Sequence, residues 1–314
     1  MVLGLLLPLA LGEAGVRLRP PEDLLPYLGD ASPQSGIYRS DPVLGADYRS
    51  FADFRALNPD KFDAFGPLAA GPPAWVFLGP SFAVFLGETA RAEMSGRRIY
   101  AGIRDVKGPQ KDQMHLWIAQ ARLLLAQGFR PERMVFVLIP QEVSRYSTVP
   151  LTWIYVNAGG AINFRFREPA APLGTLVTSS RLALLGWTRS GLAQASGGRR
   201  AKDITESVPD GVAADFARMF GALGALSRQT GVPVTVALLP DRRQIFYPSN
   251  FALQNTLRPL AESAGLDVFD AAPVLLAQPD KAALYLPDWH YTPLGNHVVL
   301  DALRAHVARA GAAP

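Results

Sequence analysis

From Ala74 onward, short apolar segments alternate with amphipathic ones, and this alternation most constrains the fold. The apolar segments are rich in Val, Ile and Phe, which favours strands, and the segments between them have helical periodicity. Strands that alternate with helices form βαβ units, in which the strands run parallel. The sequence therefore predicts an α/β fold with five strands in a mainly parallel sheet.

The same patterns predict where these elements begin and end. Strands are predicted at 74–78, 98–101, 134–139, 234–239 and 266–269. Helices are predicted at 113–127, 212–229, 251–264 and 293–310. The last helix has Thr292 as its N-cap and Pro293 at its first position. An insertion at about 150–205, after the third strand, contains an alternating pattern that predicts a β-hairpin.

The chain before Ala74 has two parts, so the predicted regions are 1–19, 20–73 and 74–314. Residues 20–73 are rich in Pro, Gly and Asp with little periodicity, which indicates a loop-rich lead-in. Residues 1–19 contain an apolar run shorter than the roughly 20 residues that span a bilayer. Three interpretations stay open: a truncated membrane anchor, which we favour, an atypical uncleaved signal, or an element packed on the domain. Arg17 and Arg19 argue against export of the chain after them.

Charge and cysteine content exclude several classes of function. The net charge is +4, and the positive residues are spread along the chain, with one basic cluster at 197–202 that lacks interleaved aromatic residues. Nucleic acid is therefore not an expected partner. Because the chain has no cysteine, disulfides, cysteine-based zinc sites and a thiol nucleophile are excluded. No pair of histidines has a zinc-binding spacing, so no metal or other cofactor is expected.

Chemically useful residues follow the strands, three of them directly and two after a long loop, at the edge where a parallel sheet binds its ligands. Ser81 follows the first strand, Gly102 the second and Gln141 the third, while Asp288 and His290 lie in the loop after the fifth. A serine becomes a nucleophile when an imidazole takes its proton and a carboxylate orients that imidazole. The amides of Ser81 and Gly102 and the side chain of Gln141 suit an oxyanion hole. The pattern predicts acyl transfer through a serine.

Taken alone, each of these residues has a commoner structural role, such as a helix N-cap for Ser81 or a turn cap for Asp288. The histidines favour the catalytic interpretation. His290 lies in a loop two residues after an aspartate, whereas the others fall in predicted helices: His115, His297 and His306. The combination is therefore more informative than any one residue.

Four segments that contain these residues resemble, in their order, the SGNH or GDSL hydrolase superfamily: FLGPSFAVFLGE, IYAGI, FVLIPQEV and LPDWHYTPLGNHVVLDAL. The last segment is similar to a block of the SGNH-like proteins of bacterial polysaccharide O-acetylation. The resemblance covers residues 74–310, interrupted by the insertion. It implies a three-layer α/β/α, flavodoxin-like fold and a periplasmic or cell-envelope location, with the N-terminal segment as a membrane anchor.

Carried over by position, the resemblance makes Ser81 the nucleophile, His290 the general base and Asp288 its orienting partner. Gly102 and Gln141 become oxyanion donors. The function implied is that of an acyl-ester hydrolase or O-acyltransferase for O-acetyl groups on an envelope or secreted polysaccharide. Sequence does not separate the two activities, because the difference lies in how well the site excludes water.

Two positions depart from the family pattern and keep a second hypothesis open. Pro80 replaces an aspartate, which removes a side-chain brace but leaves the amide of Ser81 intact. Gln141 replaces an asparagine, and a lost oxyanion contact there would cost about 10² to 10³ in rate. The alternative is a catalytically impaired SGNH-like protein that binds a glycan or acts as a scaffold in polysaccharide biosynthesis.

The expected partners derive from the same resemblance. They are an acylated carbohydrate or small ester, other proteins of polysaccharide biosynthesis and, through the N-terminal segment, a membrane. Candidate substrate contacts near the strand ends are Arg104, Arg242, Arg243 and Trp289. The arginines suit an anionic sugar.

Overall fold

The structure is a computed structural model, and it describes most of the predicted domain and parts of the chain before it. The described residues are 2–17, 38–41, 45–48, 50, 52, 74–101, 114–140, 143, 151–156, 162–166, 180, 182, 208, 210–247 and 251–311.

The region before Ala74 contributes a helix and a small hairpin. Helix α1 is Val2–Arg17, and strands β1 (Tyr38–Asp41) and β2 (Gly45–Tyr48) pair antiparallel. The hairpin lies in the segment expected to be loop-rich, where four-residue strands give too short a pattern to recognise. Among the described residues, no helix is long and apolar enough to cross a membrane.

From Ala74 onward, strands and helices alternate as expected. In chain order they are β3 (Ala74–Leu78), α2 (Ser81–Glu93), β4 (Arg98–Ala101), α3 (Met114–Ala126), β5 (Arg133–Leu138), β6 (Leu151–Val156), β7 (Ile162–Phe166), α4 (Asp210–Thr230), β8 (Val234–Leu238), α5 (Arg242–Phe246), α6 (Ala252–Ser263), β9 (Asp267–Asp270), α7 (Ala272–Leu276) and α8 (Pro293–Gly311). The predicted boundaries of the five sheet strands and of helices α3, α4, α6 and α8 lie within two residues of these.

Five of the strands form one parallel sheet in the order β4-β3-β5-β8-β9. The chain starts in β3, moves outward to β4 and then returns to the other side of β3, which is the flavodoxin-like order. The strand order therefore reverses between β3 and β5. In sheets of this order the loops diverge at the carboxyl ends of the two strands that flank the reversal, and ligands bind in the crevice between them.

Each face of the sheet carries its own apolar core, because successive side chains of a strand point to opposite faces. Val76 and Leu78 pack with helices α3, α4 and α6, and Trp75 and Phe77 pack with α2, α7 and α8. The strands are buried on both faces, as expected of a parallel sheet between two helical layers. The three-layer α/β/α prediction is confirmed.

The predicted insertion contains the expected hairpin. Strands β6 and β7 pair antiparallel, with Val156 opposite Ile162. The hairpin lies against the β1–β2 hairpin, and β2 in turn lies against α3. The side chain of Glu13 on α1 accepts hydrogen bonds from the hydroxyl of Ser180 and the amide of Leu182. The N-terminal helix and a part of the insertion are therefore in contact.

Helix α2 approaches the sheet at Gly87, and this contact gives a prediction about stability. A Cβ atom at Gly87 would overlap that of Ala101 on β4. Gly87→Ala is therefore expected to lower the free energy of unfolding by about 1–3 kcal/mol, as overpacked cores do. Urea unfolding followed by circular dichroism measures the change.

Gly221 provides the matched control, since it is also a helical glycine but has open space where a Cβ would lie. Gly221→Ala is expected to be neutral or to stabilise the protein by up to about 1 kcal/mol, because alanine is the better helix former. Equal stability of both variants and the wild type would contradict the close approach of α2 to β4.

Candidate active site

Ser81 stands at the turn from β3 to α2, beside the point where the strand order reverses. Pro80 is the N-cap of α2, and Ser81 is the first helical residue. A Cβ at Gly79 would lie 2.8 Å from the carbonyl oxygen of Val137 on β5, so only glycine lets the turn pass this close to the neighbouring strand. The alternative role of Ser81 as N-cap is wrong, because Pro80 occupies that position. The amide of Ser81 is one of the helix N–H groups that have no acceptor within the helix.

His290 lies in a short antiparallel loop that hydrogen bonds hold closed. The amide of Thr292 donates to the carbonyl of Leu284 (2.9 Å), and the amide of Leu286 donates to the carbonyl of His290 (2.8 Å). The hydroxyl of Tyr291 donates to the carbonyl of Pro240 at the end of β8 (3.0 Å). Burial raises the pKa of Tyr291 well above its ordinary value, so the hydroxyl keeps this proton. The loop is thus fixed to the edge of the sheet at which Ser81 lies.

The structure brings Ser81 and His290 into direct contact. The distance from Ser81 Oγ to His290 Nε2 is 2.6 Å, although the residues lie 209 positions apart in the chain. When Nε2 accepts the hydroxyl proton, the imidazole carries its own proton on Nδ1. Both side chains remain partly exposed, so a substrate can reach the serine. This is the geometry required of a nucleophile and its general base.

Asp288 contacts His290 in two ways. One carboxylate oxygen accepts the amide proton of His290 (3.3 Å), and the other lies 3.1 Å from Nδ1. That second oxygen is close enough for an ion pair, but it lies off the direction of an Nδ1–H bond. The side-chain contact with His290, and to a smaller extent the backbone hydrogen bond from the same residue, lowers the pKa of Asp288. The carboxylate is 67% exposed, so water screens its charge more than in a buried triad.

Two phenylalanines on α2 enclose the imidazole, and they are not among the site residues predicted from the sequence. Phe82 is tilted against His290 at 5.0 Å between ring centres, and Phe85 meets it edge-on at 5.1 Å. They lie one and four positions after Ser81 and three positions apart, so the two rings are neighbours on the helix surface. That spacing was the available signal, but it is equally typical of a helix that packs on a core.

Several residues predicted for the site stay untested. Gly102, Arg104 and Gln141 lie outside the described residues. Arg242 lies over the ring of Phe246. The candidate oxyanion hole therefore has one described member, the amide of Ser81.

Arg243 and Trp289, also predicted to contact substrate, contact each other, and their prediction as substrate contacts stays untested. The Arg243 guanidinium lies 5.0 Å from the centre of the Trp289 ring. Its N–H groups donate to one carboxylate oxygen of Asp241 at 2.7 and 3.1 Å. The charge of Arg243 is thus compensated by Asp241.

The other three histidines lie in helices, as predicted. Burial lowers the pKa of His115 on α3 to about 3. His306 contacts Asp267 at the opposite end of the sheet, and His297 contacts two carboxylates on the protein surface. Glu93, His297 and Asp301 are close enough to share a cation, but all three are exposed. None of these three histidines is the partner of Ser81.

Comparison with known proteins finds no match in sequence and a weak likeness to solved structures. No protein-family model matches the sequence, and no curated protein matches it. Among solved structures, an α/β hydrolase enzyme from the metagenome of Lake Arreo, Spain, is similar with a TM-score of 0.43 and 12% identity, over 77% of this chain and 98% of that one. An acetyl xylan esterase is similar with a TM-score of 0.42 and 14% identity, over 75% and 99%. Likeness of this degree does not indicate a shared activity, so the chemistry has to be argued from the site.

Proposed function

We propose that this protein is a serine-dependent acyl-ester hydrolase or O-acyltransferase of the SGNH type. The observation that carries the proposal is the 2.6 Å contact between Ser81 Oγ and His290 Nε2 at the carboxyl edge of a parallel sheet. A serine with a purely structural role does not need an imidazole at this distance. Asp288 supplies the third member of a triad.

The first half of the reaction forms an acyl-enzyme. His290 Nε2 takes the hydroxyl proton while Ser81 Oγ attacks the carbonyl carbon of the ester, and the carbonyl oxygen becomes an oxyanion. The backbone N–H of Ser81, at the positive end of the α2 dipole, faces that charge. We assign the amide of Gly102 and the side chain of Gln141 to the same oxyanion hole. When the carbonyl reforms, the alcohol leaves with the proton from His290, and the acyl group stays on Ser81.

The second half releases the acyl group. His290 takes a proton from a second nucleophile, which attacks the acyl-Ser81 carbonyl, and then returns the proton to Ser81 Oγ as the ester bond breaks. Water as the nucleophile gives a free acid, and a sugar hydroxyl gives a new ester. Both outcomes need the same three residues.

The position of Pro80 favours catalysis over the impaired-protein alternative. As the N-cap, Pro80 accepts a hydrogen bond from the amide of Ala83 through its carbonyl (2.8 Å), so the first turn of α2 is closed by a 3₁₀-type bond, as at many helix N-termini. Its missing N–H would have had no partner within the helix. Proline at this position is therefore compatible with a serine that is correctly placed for His290.

The substrate class and the location are also part of the proposal. We propose that the protein removes or transfers O-acetyl groups on an envelope or secreted polysaccharide, and that it is located in the periplasm or cell envelope. Helix α1 exposes Leu9 and Leu11, which suits association with an apolar surface. These assignments rest on the sequence resemblance.

Covalent labelling tests the proposed chemistry. A fluorophosphonate probe is expected to modify the wild type, and peptide mass spectrometry should locate the adduct on Ser81. Ser81→Ala should not be labelled, because the attacking oxygen is gone. Ser263→Ala is the control, since Ser263 only caps its own helix and should label like the wild type. A folded wild type that takes no label would favour the glycan-binding alternative.

A further inference from the structure

The loop that carries Asp288 and His290 has an unusual residue at its tip. Pro287, Asp288 and Trp289 form the tip, since Leu286 accepts from the amide of Trp289 (3.0 Å) and donates to the carbonyl of His290. Three-residue loops of this kind end in a left-handed residue, usually glycine. Trp289 has φ 77° and is the one non-glycine residue with positive φ in the described part of the chain.

A tryptophan in the left-handed region is unfavourable, so contacts elsewhere must hold it there. Glycine would adopt the same backbone conformation without a steric penalty. A large side chain at this position therefore indicates that the side chain itself has a role. The contact that meets this requirement is the stack of the Arg243 guanidinium on the indole ring.

Arg243 can support the ring because it is itself fixed. Asp241, which accepts both of its N–H bonds, is the buried N-cap of α5 and also accepts from the amide of Gln244. The side chain of Gln244 accepts in return from the amide of Asp241 and completes a capping box. The row Asp241–Arg243–Trp289 thus connects the end of β8 to the tip of the His290 loop.

We propose that Arg243 and Trp289 are positioning residues for the catalytic dyad. Trp289 lies between Asp288 and His290 in the chain, so its backbone angles set the directions in which both side chains leave the loop. The stack fixes these angles, and thereby holds His290 Nε2 toward Ser81 and the Asp288 carboxylate toward Nδ1. This inference rests on the proposed function, and it replaces the expectation that Arg243 binds an anionic sugar.

A small neutral ester separates positioning from substrate binding. With p-nitrophenyl acetate, which has no charge for Arg243 to recognise, Arg243→Ala is expected to lower kcat by about 10- to 100-fold with little change in KM, as misplaced catalytic groups do. Arg243→Lys should recover little, because an ammonium group cannot stack and form the two-pronged contact together. Arg258→Ala is the control, because Arg258 pairs with Asp270 elsewhere and should not affect kcat.

Trp289→Gly gives a second test, in which a loss of kcat cannot be attributed to a loss of stability. Glycine relieves the unfavourable φ, so unfolding in urea should need at least as much denaturant as for the wild type, while kcat falls as in Arg243→Ala. The double variant should be no slower than either single one, because the two residues act as one unit.

The outcomes distinguish failure of this inference from failure of the proposed function. If the wild type hydrolyses the ester and Arg243→Ala and Trp289→Gly keep more than half of its kcat, positioning is overturned and the serine mechanism stands. An increase in KM with unchanged kcat would also overturn it, in favour of substrate binding. If the wild type shows neither turnover nor fluorophosphonate labelling, the proposed serine mechanism is overturned, and the positioning inference that rests on it is overturned as well.

Discussion

Ser81→Ala and His290→Ala are each expected to lower kcat/KM for an acetyl ester by about 10⁴- to 10⁶-fold. Without Ser81 there is no oxygen to carry the acyl group, and without His290 the imidazole that takes the serine proton is gone. Because the two residues act as a unit, the double variant should be about as active as either single one. Acetate release from acetylated small esters and acetylated polysaccharide measures the effect.

His297→Ala is the control for this pair of variants. His297 lies on α8, 50% exposed, and contacts Glu93 and Asp301 rather than Ser81. Its replacement should leave the rate unchanged. If His290→Ala kept a tenth or more of the wild-type rate, His290 would not be the general base, whatever its distance from the serine.

Asp288→Asn is expected to lower kcat/KM by about 10² to 10³, less than either of the first two changes. An aspartate in a buried triad is worth about 10⁴. Here the carboxylate is largely exposed and its oxygen lies off the Nδ1–H direction, so a smaller loss is expected. Asparagine keeps an oxygen for the amide of His290, so the loop should stay closed while the charge is lost.

The pH dependence of Asp288→Asn is a sharper test than the size of the loss. The contact with His290 lowers the pKa of Asp288, so the carboxylate stays ionised from about pH 5 upward. Titration of Asp288 itself should therefore add no step to the pH dependence of the wild-type activity between about pH 5.5 and pH 8. Asp301→Asn, at an exposed aspartate on α8, is the control and should equal the wild type. If Asp288→Asn had the wild-type rate, Asp288 would have no catalytic role, and the site would consist of Ser81 and His290 alone.

The sheet could be predicted from the sequence because each of its strands is buried on both faces, and burial leaves a continuous apolar run within the strand itself. Each parallel strand is a short apolar run, as in Ala74–Leu78, and the helices between the strands have their own periodicity. The β1–β2 hairpin was missed because two four-residue strands carry too little pattern. The strand patterns by themselves do not give the strand order, which depends on crossover geometry rather than composition, so the expected flavodoxin-like order came from the family resemblance.

Some residues of the candidate site could also be predicted from the sequence, and others could not. Ser81, Asp288 and His290 could be selected because their types and their places after strands fit one chemistry, and the structure brings them together. The contacts of Phe82 and Phe85 with the His290 ring could not be predicted from the sequence, and neither could the stack of Arg243 on Trp289. Those contacts depend on side-chain directions between elements far apart in sequence. In particular, a left-handed tryptophan leaves no sequence signal, because local preference favours glycine there.

The 209-residue separation of Ser81 and His290 also has a consequence for the order in which the site is completed during synthesis. A ribosome exposes β3 and the serine turn long before it exposes the His290 loop, whose anchor on Pro240 requires that β8 be in place. Until that loop docks, the hydroxyl lacks the His290 base and remains an ordinary alcohol. Partly made chains that lack the His290 loop should therefore be inert toward cellular esters, and fluorophosphonate reactivity should appear only when that loop has docked. The reactivity of one serine thus serves as a reporter of complete folding.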